Sequence, residues 1–145
     1  MGKKTKTLVW YLFGLYVAAL LLLLLQRTPM PEYRYNLLPF KTIGDYFRVL
    51  RRSDPTGIFY RPYALKNFLG NILAFIPLGV FLPLLFQRQR KFLLFLLTVM
   101  TLVCAVELLQ LATQLGSLDV DDLILNVPGA CLGWLVWRLW NRIKA

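Results

Sequence analysis

In the stretch "LGSLDVDDLILN", Leu115 to Asn126, three carboxylates fall within four residues at the lip of an apolar run. Upstream lies Glu107, with Gln110 and Gln114 on the same helical stripe, and two amide-bearing pairs, Asn67/Asn71 and Asp122/Asn126, are each four residues apart. That spacing puts both members of a pair on one face of a helix. Carboxylates so grouped can act as general bases, coordinate a hard cation, or accept hydrogen bonds from another segment. The chain has no histidine, and no serine or cysteine stands beside an evident base. Nucleophilic triads and the usual zinc sites are thereby excluded. No catalytic residue is assigned; were the chain an enzyme, Glu107 or Asp121 would serve as its general base. The glycine and terminal glutamate of a calcium-binding loop are missing, so neither a metal nor a cofactor is expected.

The elements that must hold these groups are membrane spans. The chain has 145 residues, enough for one domain, and 58% of them are apolar. Few soluble domains tolerate such a composition. Four runs approach the length needed to cross a hydrocarbon core, at about 8–25, 68–86, 92–115 and 123–140. They are continuous rather than alternating, which excludes a β-barrel. The expected fold is an all-α membrane protein with four transmembrane helices and an outer loop over 26–67. The first run is long and is followed by no small-x-small cleavage site, so it reads as a retained anchor. Cys104 and Cys131 fall within spans and read as buried thiols that pack as small apolar groups.

Basic residues set the orientation. Lys3, Lys4 and Lys6, then Arg88, Arg90 and Lys91, then Arg138, Arg142 and Lys144 would lie on one side, against eight in the long loop. The raw counts nearly balance, but the first helix and the short loops dominate the positive-inside rule. Both termini are therefore expected in the cytoplasm.

Within the long loop, Ile43, Tyr46, Phe47 and Leu50 in "KTIGDYFRVLRR" make one helical face, with Arg48, Arg51 and Arg52 largely away from it. This spacing predicts a short amphipathic helix in the headgroup region, its three arginines directed towards lipid phosphates. Phe59, Tyr60 and Tyr63 follow, residues suited to the same depth. Pro39 biases Leu38 away from helical angles, so "YNLLPF" is extended or turning there, and Asn36 within it meets either free backbone groups or a ligand. Gly129 and Gly133 form a small-xxx-small face fit for close contact with another helix, including one from a second chain.

With the termini inside, the polar residues of the second, third and fourth spans converge at one depth in the outer half of the membrane. The expected site is a polar pocket formed by Asn36, Asn67, Asn71, Glu107, Gln110, Asp119, Asp121, Asp122 and Asn126, with Asp119 capping the fourth helix and Asp121 and Asp122 at the rim.

Four segments in order, "NLLPF", "NFLGNILAFIPLGVFLP", "VELLQ" and "SLDVDDLILNVPGACLG", resemble the successive motifs of the VanZ-like membrane proteins, over roughly Asn36 to Gly133. By position, the resemblance puts the characteristic residues at Asn36, Pro39, Phe40, Asn67, Asn71, Pro77, Gly79, Glu107, Gln110, Asp119, Asp121, Asp122, Asn126 and Gly129. Many members carry an arginine in the loop before the aspartates, where this chain has Gly116 and Ser117. A counter-ion from that loop is absent. The resemblance implies a small protein of the bacterial cell membrane and an effect on susceptibility to teicoplanin-type glycopeptides. Membrane lipids or a lipid-linked envelope precursor are the expected partners, and nucleic acid is not. Two readings stand beside lipid binding: an intramembrane carboxylate-dependent lipid-modifying enzyme, and a helical subunit of an envelope complex.

Overall fold

In a computed structural model of the chain, residues 2–25 and 35–143 are described. The stretch 26–34 of the expected outer loop, and Lys144 among the expected inner cations, lie outside them. The elements run α1 (Lys3–Leu25), β1 (Tyr35–Asn36), α2 (Lys41–Arg51), α3 (Pro55–Leu85), a short 3-10 turn (Gln87–Arg90), α4 (Phe92–Thr113), β2 (Leu118–Asp119) and α5 (Val120–Ile143). Helices α1, α3, α4 and α5 are each long and apolar enough to cross a membrane, and α2 is the short helix of the first loop. The protein is an all-α, multi-pass membrane protein.

One boundary differs from expectation. The second span begins not near residue 68 but at Pro55, inside the predicted loop. Asp54 caps the helix by accepting from Gly57 N–H at 2.9 Å, and Pro55 opens its first turn, where a missing N–H costs nothing. Hydropathy hides this start because "PTGIFYRPYALKN" mixes aromatic, basic and proline residues. With 31 residues α3 is about 46 Å long, well beyond a hydrocarbon core of ~30 Å. Its first turns bear Phe59, Tyr60, Arg61 and Tyr63.

The centre of the bundle is the pairing of α3 with α5. A Cβ on Gly79 would lie 1.9 Å from Ala130 O, one on Gly129 2.2 Å from Ile72 O, and one on Gly133 2.0 Å from Ile76 O. Backbone meets backbone there, and only glycine fits. The register advances by four residues on both helices, from Ile72/Gly129 to Ile76/Gly133, so the pair is parallel and α4 returns beside it. The glycine face read as fit for close contact with another helix thus meets the chain's own α3.

Around this seam Phe75, Leu78, Leu82, Phe95, Val99, Val103, Ala130 and Trp134 form the buried core. Helix α1 packs on α3 through Phe13 and Tyr16 against Phe81 and through Trp10 against Phe86, and the Tyr16 hydroxyl donates to Ala74 O at 2.8 Å. The contacts descend along α3 as they ascend α1, so these two are antiparallel. The N-terminus, the 3-10 turn and the C-terminal end of α5 consequently share one end of the bundle. Cys104 is exposed rather than buried, while Cys131 is half-buried; both are free thiols.

Candidate functional site

The other end of the bundle holds the carboxylates. Helix α2 starts after Pro39 and Phe40, neither of which has a side chain able to cap it, and no local cap is made. Its orphan N–H groups are satisfied from across the fold: Asp121 accepts from Phe40 N–H through Oδ1 at 2.6 Å and from Ile43 N–H through Oδ2 at 3.0 Å. An aspartate in the first turn of α5 therefore serves as N-cap of α2, with its side chain fully buried. Phe40 pays for the junction with a left-handed backbone, φ 65°, closing a turn in which Lys41 N–H reaches Leu38 O. For a bulky residue that conformation costs on the order of 1–2 kcal/mol.

Asp119 ties the same two helices together. Its Oδ1 accepts from Asp121 N–H at 2.9 Å, capping α5, and from Asn36 Nδ2 at 3.0 Å; its Oδ2 accepts from Thr42 Oγ1 at 2.6 Å. Asn36 also donates to Thr42 Oγ1 and accepts from Leu38 N–H. Strands β1 and β2 pair in parallel beside this knot, Asn36 opposite Asp119. Behind it, Glu107 of α4 accepts from Asp119 N–H through Oε2 at 2.9 Å. In the same first turn of α5, Asp122 accepts from Asn71 Nδ2 of α3 at 2.5 Å.

The electrostatics follow from where these groups sit. Asp119 and Asp121 lie between the N-termini of α2 and α5, two partial positive poles aimed at the same place. Backbone N–H groups and helix dipoles offset their charge. Among the described residues no group of histidines, cysteines or carboxylates has the arrangement to hold a metal ion.

Of the residues expected in the pocket, Asn36, Glu107, Asp119 and Asp121 are brought into one hydrogen-bonded network, with Asn71 and Asp122 joined beside it. Gln110 and Asn126 are buried nearby in sequence on the same helices, and Asn126 Oδ1 has no hydrogen-bond partner. Asn67 is not brought in; its Nδ2 donates to Tyr63 O of its own helix. Instead of lining an open rim, Asp121 is sealed by the segment it caps. Thr42 was missed from the sequence. The signal for it was present, in a helix with no capping residue of its own facing a loop with more aspartates than one helix can use.

The arginines lie on the outer surface of α2. Gly44, Phe47, Arg48, Arg51 and Arg52 line a cleft of about 600 Å³. Arg48 pairs with Asp45 at 2.7 Å, and Arg52 makes two bonds to Asp54, at 3.2 and 2.8 Å. Arg51 makes no described side-chain bond. Phe47 stacks edge-on against Phe68 of α3, ring centroids 5.5 Å apart, fixing the floor. The cleft and the buried network are thus two sides of one short helix.

The VanZ/LLP1 family model matches residues 9–141. Protein VanZ of Enterococcus faecium is 28% identical over 131 residues, covering 90% of this chain and 74% of that protein. No solved structure matches.

Proposed function

The chain belongs to the VanZ/LLP1 family, and from that premise we propose that it binds the anionic headgroup of an outer-leaflet lipid or lipid-linked envelope precursor, in the cleft on α2, and so alters teicoplanin-type susceptibility. One observation carries the reading: a helix with two arginines on its exposed side and a third at its C-cap is capped at its N-terminus by a buried carboxylate. Guanidinium groups bind phosphate oxygens in pairs. Arg51 is available outright. Arg48 and Arg52 are engaged only in exposed ion pairs, which contribute little and exchange readily for a phosphate.

In this reading both termini are cytoplasmic and the cleft faces the outer leaflet. The aromatic residues at the start of α3 lie at headgroup depth beside it. The carboxylates are positioning residues, acting through α2 rather than on the ligand.

The test is teicoplanin susceptibility in a bacterial strain carrying no copy, the wild type, or the triple variant Arg48→Gln, Arg51→Gln and Arg52→Gln, at matched membrane levels. Resistance raised by the wild type and lost in the triple variant is expected. Equal resistance in the two would overturn the role of the cleft.

A further inference from the structure

A second groove opens towards the opposite end of the bundle, its walls on α4 lying 8 to 16 residues from Gln110, or about 12–24 Å by helical rise. Its volume is about 410 Å³, and its walls are Leu94, Leu97 and Leu102, with Thr98 and Thr101 between them and Arg88 and Gln89 at the mouth. The mouth is held by its neighbours. Gln89 O accepts from Trp134 Nε1 at 3.1 Å, and Arg90 turns back to donate to Pro83 O at 3.3 Å with its guanidinium 6.0 Å from the Trp137 ring. Gln89 Nε2 donates to Thr98 Oγ1 at 2.9 Å, pinning the amide against the floor. Two groups are left over: the exposed cation of Arg88, which makes no described side-chain bond, and Gln89 Oε1, a buried acceptor with no donor.

We propose that this groove binds one anionic phospholipid with a hydroxylated headgroup, from the leaflet opposite the α2 cleft. An acyl chain lies along Leu94, Leu97 and Leu102, where a leucine-lined groove on a membrane-spanning helix meets hydrocarbon. Arg88 pairs with the phosphate, and a headgroup hydroxyl donates to Gln89 Oε1. The occupant is fixed by charge and hydrogen-bond complementarity: the mouth offers one cation and one acceptor, which a zwitterionic choline headgroup cannot match, since it carries no donor. Lys3, Lys4 and Lys6 belong to the same end of the bundle and reinforce its preference for anionic lipid. No residue of the α2 cleft takes part.

Native mass spectrometry of the detergent-solubilised full chain, titrated with phosphatidylglycerol, phosphatidylmethanol or phosphatidylcholine, tests the assignment. The wild type should retain phosphatidylglycerol in preference to both. In the background of the triple variant Arg48→Gln, Arg51→Gln and Arg52→Gln, which removes the cations of the α2 cleft, Arg88→Gln and Leu97→Trp, the latter filling a lipid-exposed part of the groove, should each weaken retention about tenfold. Undiminished retention by Arg88→Gln and Leu97→Trp overturns the site. Equal retention of phosphatidylglycerol and phosphatidylmethanol by the wild type contradicts the hydroxylated headgroup, and displacement by free glycerol phosphate contradicts a lipid occupant.

Discussion

Asp121 is the residue on which the site turns, because its two oxygens are spent on two backbone donors of a different helix. An asparagine there keeps one acceptor and turns an N–H₂ towards the other donor. Asp121→Asn should therefore destabilise the α2 junction by about 1–3 kcal/mol. Limited trypsin digestion measures it, as faster cleavage after Arg51 and Arg52; an unchanged rate would contradict the capping role. Glu107 predicts a graded pair. Glu107→Gln retains an oxygen for Asp119 N–H and should cost less than Glu107→Ala, which leaves that buried donor without its partner at a cost of about 1–3 kcal/mol. Thermal unfolding in detergent separates the two. At this scale the sequence was legible in part. Three aspartates were too many for one helix cap, and this excess was readable. Their recipient was not, because a backbone N–H has no letter in the sequence, and only the fold brings Phe40 and Ile43 beside α5.

Elements were more legible than their contacts. The apolar runs mark all four long helices because hydrocarbon demands uninterrupted apolar faces, and the spacing of Ile43, Tyr46, Phe47 and Leu50 marks α2. The start of α3 was hidden because Asp54 and Pro55 begin a helix whose first turns are not apolar. The glycines were recognised as a contact face, but a sequence motif does not say which helix it meets. Gly79→Ala or Gly133→Ala should force α3 and α5 apart and destabilise the bundle by about 1–3 kcal/mol or more. Gly70→Ala, with open space around the position, should be neutral or stabilising by up to about 1 kcal/mol. Thermal unfolding followed by tryptophan fluorescence compares them.

The α3 cap carries its own pH signature. The Gly57 N–H that Asp54 accepts, and then Arg52, hold this carboxyl below the usual aspartate range. A lowered folded-state value adds stability above the unfolded-state pKa of ~3.9, and that contribution is lost as pH falls through the lower folded value. Asp54→Asn keeps a capping oxygen without the titration. Amide exchange across the first turn of α3 should then lose its acid dependence below about pH 4; an unaltered acid limb would assign it to another group.

At the scale of the whole molecule, the carboxylate network gathers at one end of the bundle and the start of α1 and the end of α5 at the other, so the two ends are chemically different. The end bearing α2 joins an exposed basic cleft to a buried acidic network, with the helix between them. That division keeps the two sets of charges apart: Asp119 and Asp121 accept from helix N-termini, while Arg48 and Arg52 pair with Asp45 and Asp54. Family motifs made the polar set legible before the fold was known. The division of labour between inside and outside of α2 was not, since residues that share a loop in sequence separate only when the helix has a direction.

The most direct test of the account is binding of polyprenyl monophosphate to the detergent-solubilised chain over a series of salt concentrations. The wild type should bind with an affinity that falls as salt rises, the triple arginine variant should lose that dependence, and Asp121→Asn should weaken binding although it removes no cation. Salt-independent binding, or full affinity in the triple variant, would contradict the assignment of the headgroup to α2.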